Sequence, residues 1–135
     1  MIEKHVARYQ SVQITTSSPG DILVALLDGL FKFLHVAKHC LGSGDRARAG
    51  QAMSKAHAII SELLTSLDHA VAPELCANLA SIYDFCLSRI SHANRHNDSK
   101  AIEEVMRVMT PVREAFTTAV RSLPREGAQP TGSTG

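Results

Sequence analysis

Four stretches of the chain repeat apolar residues at alternating steps of four and three, and this repeat limits the possible fold more than any other feature. The spacing keeps side chains on one face of an α-helix. The stripes are Leu23, Leu27, Leu30, Leu34, Ala37 and Leu41; Ala49, Met53, Ala56, Ile60, Leu63 and Leu67; Ala72, Cys76, Leu79, Tyr83, Cys86, Ile90 and Ala93; and Ile102, Val105, Met109, Val112, Phe116 and Ala119. The sequence therefore predicts four amphipathic helices.

Helix-capping residues and helix breakers separate these stripes. The N-terminal signals, in chain order, are Ser18 with Pro19, Asp45, Pro73 and Asp98. The first helix is expected to stop at Gly42-Ser43-Gly44, and the third to close over residues 94–97. Because the links are short, neighbouring helices must run antiparallel. The predicted fold is an all-α, up-down-up-down four-helix bundle.

The sequence divides the chain into three predicted regions. Residues 1–17 form an N-terminal arm, residues 18–123 the bundle domain and residues 124–135 a disordered tail. The tail is rich in Gly, Pro, Ser and Thr, a composition that cannot bury a core.

Composition and charge exclude several classes of partner. The formal net charge is +1 and no basic cluster stands out, so we expect no nucleic acid. The longest apolar run is far shorter than the ~20 residues that span a bilayer, so we expect no direct membrane insertion. Three cysteines without a CxxC pair are typical of buried thiols in a reducing compartment, which predicts the cytosol.

The predicted helices carry more apolar residues than a bundle core requires. The segment Ile22 to Leu27 is apolar on every side, and the other helices add apolar residues beside their stripes. These residues either pack within the domain or at a homodimer contact, or they form a groove for a partner helix. The arm contains the apolar residues Tyr9, Val12 and Ile14, which also need a surface to pack against. The arm either covers such a groove or is packed permanently.

Two histidine pairs have the spacing that places both rings on one helical face, His35 with His39 and His92 with His96. No Asp or Glu is expected beside either pair, so we predict no metal site and no cofactor. The sequence His35-Val-Ala-Lys38 resembles the motif of histidine phosphotransfer domains, although His39 stands where that family has Gly. Phosphotransfer through His35 is the alternative function. No side chains are arranged for nucleophilic or acid–base catalysis, so we expect no enzyme.

From Tyr9 to about Ser122, several short motifs in a fixed order resemble the FliS family of flagellin export chaperones. The matching residues are Tyr9-Gln10 and Val12; Thr16 to Pro19 with Leu26-Leu27-Asp28-Gly29; Gly44-Asp45, Lys55-Ala56, Ile59-Ile60 and Glu62-Leu63; Leu79, Ile82-Tyr83 and Phe85; and Val112 to Phe116. Leu27 stands where the family usually has Tyr, and Phe116 where it has Trp.

The resemblance implies a cytoplasmic chaperone that binds the disordered C-terminal segment of flagellin and prevents its premature polymerisation. It also implies delivery to the type III export gate, through the cytoplasmic domain of FlhA. By this match, Asp28 and Gly29 are structural positions. The expected groove residues are Ile59, Leu63, Ile82, Phe85 and Met106, and the arm over the groove contains Tyr9, Gln10, Val12 and Ile14.

Overall fold

The computed structural model describes residues 18–124, which form four α-helices. These are α1 (Pro19–Ser43), α2 (Arg46–Thr65), α3 (Pro73–His96) and α4 (Ser99–Arg121). Helices α1 and α3 each pack against both α2 and α4, which closes the four helices into a ring. The predicted all-α bundle with antiparallel neighbours is confirmed. The arm and the tail beyond Pro124 lie outside the described residues.

Side-chain caps start three of the helices. The Ser18 hydroxyl accepts a hydrogen bond from the Asp21 amide at 3.1 Å, and the Asp21 carboxylate accepts one from the Ser18 amide at 3.3 Å. This reciprocal pair satisfies two amides that a helix N-terminus leaves free. Asp45 and Asp98 cap α2 and α4 in a similar way, through the amides of Arg48 and Lys100. All three predicted capping residues are confirmed.

Two residues in the left-handed conformation end α1 and α3. Gly44 has φ 82° and follows α1, while Asn97 has φ 54° and follows α3. Gly and Asn tolerate this conformation better than other residues do, and it turns the chain sharply out of the helix. The tight links to α2 and α4 follow from these two residues.

The core is mainly aliphatic and contains most of the predicted stripes. Its largest fully buried side chains include Leu27, Leu30, Leu34, Met53, Ile60, Tyr83, Ile90, Ile102 and Met109. Phe31 is also buried although it lies outside the predicted stripe, and Ala119 is exposed although it lies within one. The three cysteines are buried free thiols, as predicted. None of the helices over residues 18–124 is long and apolar enough to cross a membrane.

Candidate binding surface

The predicted groove residues differ widely in exposure. Leu63 is 3% exposed and belongs to the core, whereas Phe85 is 43% exposed. Ile59, Ile82 and Met106 are partly buried and pack against the core. The side chain of Phe85 is therefore accessible from outside, whereas that of Leu63 packs inside the core.

Ile59 and Met106 lie beside α1, on opposite sides of that helix. A Cβ placed on Gly29 of α1 would lie 3.7 Å from Ile59 Cδ1, so Ile59 faces the line between α1 and α2. Met106 shares its helical face with Glu103 and Arg113, and both of those bridge α4 to α1. These two predicted groove residues do not lie on the same surface.

Ile82 and Phe85 lie on the opposite side of the bundle, between α3 and α4. They precede Arg89 by seven and four residues and so share its face of α3. Arg89 Nε donates a hydrogen bond to Glu104 Oε1 of α4 at 2.8 Å, which fixes the direction of this face. The structure thus brings together two of the five predicted residues.

We call the surface formed by Leu75, Ile82 and Phe85 of α3 with Val108, Pro111 and Ala115 of α4 the α3–α4 seam. The α4 residues follow Glu104 at steps of four, three and four and so share its helical face. Leu75 is 54% exposed, and Pro111 and Ala115 are also exposed. The Arg89–Glu104 ion pair closes one end of the seam.

The α3–α4 seam places apolar side chains of both helices along one surface, with Asn78 between Leu75 and Ile82. An amphipathic helix binds such a surface by placing apolar residues three, four and seven apart into the groove. Leu75 and Ile82 are seven residues apart, so they lie two turns apart on one face of α3. This spacing equals that between apolar residues seven apart on a bound helix. The chemistry of the seam is that of an apolar contact surface.

Three further large apolar side chains are exposed at the end of the bundle where α1 begins. They are Ile22, Val71 and Leu123, with exposures of 40%, 77% and 60%. Ile22 belongs to the apolar segment noted in the sequence. Val71 and Leu123 lie just outside predicted helices, where periodicity carries no information about exposure.

The histidine pairs have different surroundings. The rings of His92 and His96 lie 4.5 Å apart, and His92 Nε2 lies 3.3 Å from Asp98 Oδ2. The expectation that no carboxylate adjoins either pair was wrong for His92, because the left-handed turn at Asn97 brings Asp98 back beside the last turn of α3. Across residues 18–124, no group of three or more His, Cys, Asp and Glu side chains is arranged to hold a metal ion.

His35, the residue of the phosphotransfer alternative, is exposed on α1. The lysine of its motif, Lys38, forms an ion pair with Glu103 of α4 at 3.3 Å. The lysine that would accompany a phosphoryl group is thus held by a carboxylate in this structure.

A closed antiparallel bundle with an exposed apolar seam is typical of a helical protein-binding domain. A model of the family described as flagellar protein FliS matches residues 2–123. The chain therefore belongs to the FliS family, and the resemblance noted in its sequence is confirmed.

Individual relatives agree with this assignment. The chain is 31% identical to the flagellar secretion chaperone FliS of Bacillus subtilis over 121 residues, which cover 90% of each chain. It is 36% identical to the protein of the same name from Salmonella typhimurium over 104 residues, which cover 76% of this chain and 77% of that one. Both relatives are named as flagellar secretion chaperones.

A solved structure confirms the fold. The crystal structure of a flagellar chaperone from bacteria superposes with a TM-score of 0.72 at 17% sequence identity. The match covers 91% of this chain and all of the other.

Proposed function

We propose that this protein binds the disordered C-terminal segment of flagellin in the cytoplasm, prevents its premature polymerisation and assists its export through the flagellar type III secretion system. Membership of the FliS family supports this proposal. The observation that carries it is the α3–α4 seam, where Leu75 and Phe85 are 54% and 43% exposed. A contiguous exposed apolar surface is a common mark of a protein-binding site.

The proposed cargo explains why the binding surface is apolar. A disordered segment loses conformational entropy when it orders on a surface, and apolar contact must offset that loss. Ile82 and Phe85 provide such contact at the seam. Ile59 and Met106 remain proposed contacts, and because they face other sides of the bundle, a cargo that reaches them must extend around it. Leu63 supports the surface from the core.

We further propose that the complex is delivered to the cytoplasmic domain of FlhA, without insertion into the membrane and without a cofactor or nucleic acid. A homodimer of the free protein is part of this proposal. The arm residues Tyr9, Gln10, Val12 and Ile14 lie outside the described residues. We propose that they cover the binding surface until cargo displaces them.

Calorimetric titration of a flagellin C-terminal peptide tests the binding proposal. The double variant Leu75→Ser and Phe85→Ser should weaken binding by about tenfold or more, since each change removes an apolar contact. The matched control is Val71→Ser, which removes an exposed aliphatic side chain outside the seam. Unchanged affinity in the double variant would reject the seam as the cargo site. Absence of binding by the unmodified protein would reject flagellin as the cargo.

A further inference from the structure

Between α2 and α3 lies a shallow groove of a different character, which we call the α2–α3 groove. It is lined by Gly50, Gln51, Ser54, Lys55 and His57 of α2 and by Ser91 and Asn94 of α3, together with the buried Met53 and Ile90. Glycine and serine keep the groove open because their side chains are small. Most of the other lining groups donate hydrogen bonds, so the groove suits a polar chain with many acceptors.

The groove opens at the end of the bundle where α2 begins and α3 ends. A Cβ placed on Gly50 would lie 3.8 Å from Asn94 Oδ1, which brings these two helix ends together. Arg46 lies one turn before Gly50 on the same face of α2, and Arg95 follows Asn94. Both arginines are exposed, and their positions on the two helices put them near this end of the groove.

This end of the bundle carries unpaired positive charge. Arg46, Arg48, Arg95 and Lys100 form no ion pair with any acidic side chain of residues 18–124. The nearby acids offset only part of this charge. Asp45 and Asp98 cap helices, Glu103 pairs with Lys38, and Glu104 pairs with Arg89.

We propose that the α2–α3 groove is a docking site for an acidic, extended segment of a partner protein. Carboxylates of the segment pair with Arg46 and Arg95 at the mouth, because a guanidinium matches a carboxylate in two hydrogen bonds. Farther in, the side chains of Ser54, His57 and Asn94 hydrogen-bond the backbone and side chains of the segment. The positive charge at this end of the bundle selects an acidic partner, and the small, polar side chains that line the groove leave space for the segment.

The α2–α3 groove and the α3–α4 seam flank α3 on opposite sides. An apolar partner on the seam and an acidic segment in the groove therefore contact different helical faces. The docking site is separate from the proposed cargo surface, and its test does not depend on the identity of the cargo.

Fluorescence anisotropy with a labelled peptide of alternating Glu and Ser tests the role of charge. Binding to the full chain should weaken as salt is raised, because salt screens exposed charges. The double variant Arg46→Glu and Arg95→Glu should weaken it by about tenfold or more. The control, Arg107→Glu with Arg121→Glu, makes the same change in net charge on the exposed surface of α4 and should keep most of the affinity. Circular dichroism confirms that each variant is folded.

A second pair of variants tests the groove itself. Ser54→Leu fills the groove without changing charge and should weaken peptide binding by about fivefold. Its control is Ser81→Leu, which makes the same change at an exposed α3 residue that does not line the groove and should have no effect. Equal affinity of the Ser54 and Ser81 variants would overturn docking in the groove. Binding to phosphatidylglycerol vesicles but not to the peptide would overturn the choice of a protein segment as partner.

Discussion

Arg113 of α4 holds Asp28 of α1 through two donors, with its Nη2 at 2.8 Å and its Nε at 3.0 Å from Asp28 Oδ1. The guanidinium carbon also lies 4.7 Å from the centroid of the buried Phe31 ring. Arg113 thus links α1 to α4 by an ion pair and by a cation–π contact at once. The sequence resemblance gave Asp28 a structural role, and this contact supplies its physical basis.

Replacing Arg113 by Ala should lower the free energy of unfolding by about 1 kcal/mol, since it removes both contacts. Asp28→Asn should cost less, about 0.5 kcal/mol, because the cation–π contact remains and exposed ion pairs are weak. Urea denaturation measures both variants. Arg107→Ala is the control, an exposed arginine of the same helix without an ion pair to residues 18–124. Equal losses for Arg113→Ala and Arg107→Ala would contradict the assignment.

Gly20 and Gly29, two of the three glycines of α1, should respond differently to alanine. A Cβ at Gly29 would contact Ile59 Cδ1 at an ordinary 3.7 Å, whereas one at Gly20 would lie 2.9 Å from Val120 Cγ1. Gly29→Ala should therefore raise the free energy of unfolding by about 0.5 to 1 kcal/mol through helix propensity. Gly20→Ala should give a smaller gain or a loss. If Gly20→Ala still gives no gain in stability when Val120 is also replaced by Ala, the close approach to Val120 is not the reason for the smaller effect. Thermal denaturation provides the comparison.

The presence of the four helices, their capping residues and their order could be predicted because these features depend on local sequence. Ser18, Asp45 and Asp98 act within three residues of themselves, and the four-three repeat identifies a buried face from one helix alone. The binding surface depends on how helices meet, which periodicity does not specify. Leu63 lies on the predicted stripe and is 3% exposed, whereas Ile59 lies beside the stripe, and only the packed helices show that it faces α1.

The same limit explains the two features that sequence analysis missed. Arg46 and Arg95 are 49 positions apart, and only the antiparallel packing of α2 with α3 brings them to the same end of the bundle. The approach of Asp98 to His92 depends on the backbone conformation of Asn97. An Asn before an Asp cap is a signal that favours such a turn.

The bundle should lose stability at alkaline pH because two acidic groups are buried in its core. Burial raises the pKa of the Cys86 thiol and of the Tyr83 hydroxyl to about 12 each, from ordinary values of 9.0 and 10.0. Both groups hold their protons more tightly when folded. Their contribution to the free energy of unfolding is intact below about pH 9. It is lost as pH rises toward 12, by at most ~1.4 kcal/mol per pH unit for each group.

Urea denaturation between pH 8 and pH 11.5 under reducing conditions measures this effect. Tyr83→Phe should make the fall in stability shallower above about pH 10, and Cys86→Ala should do so from about pH 9. Comparison with the unmodified protein cancels the titration of exposed lysines. A wild-type slope in both variants would show that other groups cause the alkaline loss.

Removing the residues before Thr15 tests whether the arm competes with cargo. If it covers the binding surface, the deletion should expose apolar area and raise the binding of a hydrophobic dye. Affinity for the flagellin peptide should hold or improve, because no competitor lowers the fraction of binding-competent molecules. Tyr9→Ala should act in the same direction but more weakly. Weaker cargo binding by a deletion variant that is still folded would reject this role for the arm.

Leu63 and Phe85 should separate stability from binding most clearly, since they were predicted for one groove and occupy opposite environments. Leu63→Ala removes a side chain that is 3% exposed and should lower the free energy of unfolding by about 2 to 4 kcal/mol. Phe85→Ala truncates a ring that is 43% exposed and should cost less than about 1 kcal/mol. Its effect should instead fall on cargo, with an affinity about fivefold lower by calorimetry. Measured at a temperature where Leu63→Ala is still folded, that variant should keep an affinity within about twofold of the unmodified protein. A large loss of stability from Phe85→Ala with unchanged affinity would place Phe85 in the core and remove it from the proposed surface.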